Sequence, residues 1–162
     1  MTALTTATAS LRPNEGLSLL AGAAEARSKP LESAAAIRAA LDASPDDWRV
    51  RLAAYRFYFY SHDHAAALEQ ARVLLRHAAR QLNIAADWRD VRAEDAGFTQ
   101  FEFGPGLYMQ ALVALGFCAA KLHRDDLAHE VLSKAGELDP TDRFGGLWLL
   151  RHMEARDTTL ED

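Results

Sequence analysis

The residues that could do chemistry gather at two places. His62-Asp63-His64 is a run of imidazole and carboxylate groups, both good ligands for a divalent transition metal. His123, Asp125, Asp126 and His129 make a second group of the same kind. A metal bridging the two would be the most direct route to a catalytic centre. Neighbouring side chains in a turn, however, need not converge on one ion. Asp63 is better placed to cap the helix that follows it, and Asp125 or Asp126 to sit near the positive end of a helix dipole. No metal and no cofactor is expected.

The remaining constellations lead away from catalysis. Cys118 is the sole cysteine, lies between Phe117 and Ala119, and has no base beside it in sequence. It reads as a buried thiol. Gly104-Pro105-Gly106 and Gly145-Gly146 lack the preceding strand and the Lys or Ser of a phosphate-binding loop. No serine stands in a nucleophile elbow. Arg72, Arg76 and Arg80 recur every fourth residue and form a basic ridge, either solvated or facing phosphate or an acidic partner. The chain is not expected to be an enzyme. A metal-dependent enzyme using the His/Asp turns is the remote alternative.

The elements that position these residues are helices. The chain has 162 residues, 49% of them hydrophobic, enough for one sizeable core. Alanine is abundant, β-branched residues are sparse, and no stretch alternates as a strand should. The net charge of −5 argues against a general nucleic-acid binder. No apolar run reaches 18 residues, so no membrane span is expected, and the first residues lack the pattern of a secretory signal. The expectation is a cytoplasmic protein with no membrane partner.

In order, residues 1–12 read as a flexible tail, and a helix with Leu17, Leu20 and Ala24 follows from Pro13. Pro30 or Leu31 opens a second helix with Ala34, Ile37, Ala40 and Leu41. Ser44-Pro45-Asp46-Asp47 stops it, and one of the two aspartates caps the next, which runs to about Tyr60. A fourth helix, from about His64 to Leu82, buries Ala67, Leu68, Ala71, Leu74, Leu75 and Ala78. Residues 83–108 break the pattern with Trp88, Phe98, Phe101, Phe103 and Tyr108, and read as an ordered aromatic loop around a short helical turn. Two further helices occupy Leu112 to Pro140, where Gly116 and Ala128 let the backbones approach. Asp142 can cap a last helix with Leu147, Leu149, Leu150 and Met153, and residues 157–162 are expected to be a flexible tail.

The stretch LVALGFCAAKLHRDDLAHEVLSKAGELDP resembles one tetratricopeptide repeat (TPR), a helix–turn–helix unit of about 34 residues. Framed on Pro45 and Pro140, repeats fall at 14–47, 48–81 and 109–142, with 82–108 left as an insertion. The small residue of the second helix is then Ser33, Ala67 and Ala128. The family's tryptophan is replaced by Leu17, Arg51 and Leu112, and Tyr55 stands where the family keeps a small residue. The resemblance implies an all-α, TPR-like right-handed stack of three helical hairpins over 13–156. A C-terminal capping helix would close it, since one hairpin cannot bury its own apolar stripe. An up-down bundle is the alternative.

The resemblance also implies a concave groove lined by the first helix of each hairpin. The matching residues are Arg49, Leu52, Arg56, Phe59, Tyr60, Phe117, Lys121, Trp148 and Arg151. The chaperone-tail clamp found in some members needs asparagine at positions held here by Ser18, Gly22, Leu52, Arg56, Val113 and Phe117. What remains is a protein–protein interaction module, an adaptor or small chaperone, binding an apolar, partly acidic peptide segment. The alternative is an oligomerising structural subunit whose groove is filled by its own insertion or by a second copy.

Overall fold

The computed structural model describes residues 30–161, with side chains described from 33 to 156. Among the described residues the protein is all-α, with six α-helices, two short 3-10 helices and no strand. The helices are α1 Pro30–Ala43, α2 Trp48–Tyr60, α3 His64–Leu82, α4 Phe103–Lys121, α5 Asp125–Leu138 and α6 Gly146–Glu161. The 3-10 turns are Trp88–Asp90 and Ala93–Asp95. The expected tail 1–12 and the helix from Pro13 lie outside the described residues. The chain divides into two compact units, Met1–Ser61 and His62–Asp162. That boundary falls at the turn of the hairpin that carries Tyr55.

In the first unit α1 and α2 pair around Ile37 and Ala54, with Ala36, Leu41, Phe57 and Tyr58 packed at the margin. Pro30 opens α1, where its missing N–H is no loss. The α1–α2 turn is tied by the Asp47 amide donating to the Ser44 carbonyl at 3.2 Å. Asp47 then caps α2, its carboxylate accepting from the Arg49 amide at 2.9 Å. Ser61 closes the helix by donating its hydroxyl to the Phe57 carbonyl at 2.7 Å.

In the second unit α4 is the centre, packed on α3 and α5 and touched by α6. The buried stripe of α3 matches the expected one, and Asp63 caps the helix by accepting from the Ala66 amide at 3.1 Å. The helix ends at Asn83 with φ 55°, a left-handed conformation that asparagine tolerates. By length and composition α4 could cross a membrane, contrary to the expectation that no apolar run is long enough. Most of it is buried instead by its neighbours, as a helix apolar on nearly every side requires. Close approach depends on glycine at two positions. A Cβ on Gly116 would lie 2.5 Å from Leu132 Cδ2 of α5, and one on Gly136 would run into Leu147 of α6.

Helix α4 starts at Phe103 and so takes in Gly104-Pro105-Gly106, which reads in sequence as the end of a loop. Proline is tolerated there because first-turn amides have no intrahelical partner anyway. The remaining connection, 83–102, is folded onto α5. Arg89 donates to the Glu130 carboxylate at 3.1 Å, and Lys134 Nζ donates to the Val91 carbonyl at 2.9 Å. Trp88, Val91 and Phe98 are buried, and the Phe98 ring lies 5.5 Å from that of Tyr108. Phe101 and Phe103 face outward, so of the three phenylalanines of this loop Phe98 alone fills the interior. Helix α6 continues to Glu161, into the segment expected as a tail on charge alone.

Tyr108 is fully buried, and its hydroxyl has no hydrogen-bond partner among the described residues. Burial first, and then the charge of Asp87, push its ionisation well above the ordinary tyrosine range. The folded state therefore keeps this proton while the unfolded chain loses it near pH 10. Stability from this group is complete below about pH 10 and falls as pH rises beyond it. Tyr108→Phe removes both the orphaned hydroxyl and the titration. It should raise neutral-pH stability by about 1 kcal/mol and flatten the alkaline decline. Urea midpoints at neutral and alkaline pH test both effects; a variant less stable at neutral pH would refute the orphaned hydroxyl.

Candidate functional site

The residues assigned to partner binding fall in both units. Arg49, Leu52, Arg56, Phe59 and Tyr60 lie on α2 of the first. Their rings form a ladder: Tyr55 and Phe59 have centroids 5.8 Å apart, and Phe59 and Tyr60 5.2 Å apart in an edge-on contact. Tyr60 is 76% exposed. Arg49 is partly engaged by its own cap, with Nε 3.6 Å from Asp47 Oδ1.

In the second unit Phe117, Lys121 and Trp148 come together. They line a cleft of about 480 Å³ between α4 and α6, with Leu132 of α5 among the lining residues. Lys121 Nζ stands 5.5 Å from the centroid of the Phe117 ring. Trp148 stacks on His152 at 3.9 Å and remains 52% exposed. Arg156 also lines the cleft, and none of the lining residues is acidic. No residue of the 83–102 connection lines it either. Arg151 is exposed but lies outside the cleft, one residue off the stripe that Trp148 and His152 share.

The turn after α5 orients this wall. Asp139 is 2% exposed and accepts from the amides of Thr141 and Arg143, each at 3.1 Å, and from the Thr141 hydroxyl. Asp142 then caps α6 by accepting from the Leu147 and Trp148 amides at 2.7 and 3.1 Å. Trp148 is thus set by hydrogen bonds one and two steps back along the chain. His152, Arg156 and Asp139 escape a sequence reading. The spacing of four from Trp148 to His152 was the available signal for the first.

The metal-type clusters serve the turns. Asp63 is spent on its cap, and the His62 and His64 rings are 6.1 Å apart. Asp125 and Asp126 occupy the first turn of α5, and His129 pairs with Glu154 at 3.2 Å. Among the described residues, no three His, Cys, Asp or Glu side chains are gathered to hold a metal ion. Cys118 is buried. Arg72, Arg76 and Arg80 lie exposed on α3, away from its buried stripe.

No family model matches the chain, and no solved structure matches it. A protein of Azotobacter chroococcum mcd 1, described as an uncharacterized 19.8 kDa protein in the nifW 5′ region, is 36% identical over 111 residues. The match takes in 66% of this chain and 61% of that protein, so the chain spans less than two thirds of the relative's length.

Proposed function

We propose that this chain is a TPR-like scaffold for protein–protein interaction, an adaptor or small chaperone that captures an apolar, partly acidic peptide segment. The observation that carries the reading is the cleft between α4 and α6. There an exposed tryptophan, a phenylalanine and two cations surround an apolar floor with no carboxylate in the lining. A helix whose sole task was to close a stack would turn a polar face outward. Helix α6 instead presents Trp148, one of the residue types that most often carry binding energy. The pair α4–α5, joined by a short turn and falling in the repeat framed at 109–142, is the kind of unit such a stack requires.

Panning a random peptide library on the purified protein tests the reading. Enriched sequences should share apolar anchors with acidic flanks. Trp148→Ala, which touches no core position, should weaken the selected peptides by about 2 kcal/mol, roughly thirtyfold. A library that yields no enriched sequence, or peptides indifferent to Trp148→Ala, would remove the cleft from consideration.

A further inference from the structure

We infer that the partner segment held between α4 and α6 is an α-helix, apolar on the face it buries and carrying carboxylates along that face's edges. This rests on the peptide-capture reading above and names the form of the peptide. The cleft offers an incoming backbone almost nothing that can accept its N–H groups. Lys121, Arg156 and the Trp148 indole only donate, and the lining has no carboxylate. His152 supplies the one strong side-chain acceptor in the lining, a nitrogen of the ring stacked on Trp148. Backbone carbonyls beside Lys121 are already used. Those of Cys118, Ala119 and Ala120 accept from the amides of Leu122, His123 and Arg124 as α4 ends.

An extended peptide pressed onto this floor would bury amides without partners, each at its full desolvation cost. Strand addition, which would satisfy them, needs a sheet edge, and the described residues contain no strand. A helix brings its own acceptors and can lay apolar side chains on the floor without that cost. The cations then select its polar residues. Lys121 ends α4 and Arg156 lies on α6, both exposed, so each wall of the cleft has one. Trp148, His152 and Arg156 follow one another every fourth residue of α6, about 6 Å apart along its axis. A helix lying along this row meets an aromatic first and a cation about two turns later. Its apolar anchor and its acid should therefore stand about seven residues apart.

Peptides enriched by panning on the purified protein, and weakened by Trp148→Ala, are the probes. Their apolar residues should recur at helical spacing, and circular dichroism should show them gaining helix on binding. A lactam bridge between outward positions four apart pre-forms the helix and should tighten binding about tenfold. Proline at the centre should weaken it about hundredfold. Replacing the acid by its amide should cost about tenfold against the parent protein and nothing against Arg156→Gln. Trp148-dependent peptides that tolerate the proline and gain nothing from the lactam overturn the helical occupant and leave the cleft a peptide site. An acid whose loss costs the same against Arg156→Gln overturns the proposed register. Failure to enrich any Trp148-dependent peptide removes the capture reading, and this inference with it.

Discussion

Asp139→Ala is expected to destabilise the second unit by about 3 kcal/mol. The carboxylate is buried and satisfies two backbone amides and the Thr141 hydroxyl at the α5–α6 turn. Alanine leaves three donors facing a site that water reaches poorly, and the loss is the desolvation penalty of those donors rather than the net worth of one hydrogen bond. Asp139→Asn keeps one acceptor oxygen and should lose about half as much. Chemical denaturation followed by helical circular dichroism gives the stability. Fluorescence in a Trp48→Phe/Trp88→Phe background, where Trp148 is the sole emitter, reports whether α6 has shifted, because the same turn aims that tryptophan. A loss below about 1 kcal/mol would show that the network is peripheral.

Gly116→Val should be comparably damaging, by about 3 kcal/mol, lowering the melting temperature by about 10 °C. The glycine lies in the α4–α5 contact, where a Cβ would meet Leu132 at 2.5 Å and Val131 at 3.3 Å, both fully buried. Alanine at 116 brings one methyl against Leu132 where valine brings three carbons, and it gains about 1 kcal/mol of helix propensity, so its net loss should be nearer 1 kcal/mol. Combining Gly116→Ala with Leu132→Ala provides the diagnostic. The smaller partner gives the new methyl room, so the double variant should be less damaged than the sum of the singles. Strict additivity would mean that the two residues do not compete for the same space.

Much of the helical framework is legible in the chain. The Leu/Ala stripe of α3, the caps at Asp47, Asp63 and Asp142, and the small residue at Gly116 are local features, each fixed by neighbours within one or two turns. The start of α4 was not legible, because Gly104-Pro105-Gly106 reads as a break although its place in a first turn makes it harmless. Nor could the order of Phe98, Phe101 and Phe103 be read, since a loop has no period to say which ring turns inward. In the cleft, Phe117, Lys121 and Trp148 follow from helical spacing, whereas Arg151 falls outside it. Asp139 looks like an ordinary turn residue until Thr141 and Arg143 fold back onto it. The division at Ser61 has no local signature, because it reflects how densely distant segments pack.

The buried position of Cys118 makes this protein its own opening clock. The thiol is sealed on α4, the central helix of the second unit, and the chain has no other cysteine to compete for a reagent. An alkylating agent can reach it only when α4 parts from its neighbours, so the labelling rate measures that opening directly. Fraying of the chain ends leaves the rate untouched. The first unit contributes no signal, and the lifetime of the second can be followed in the intact chain without an added probe.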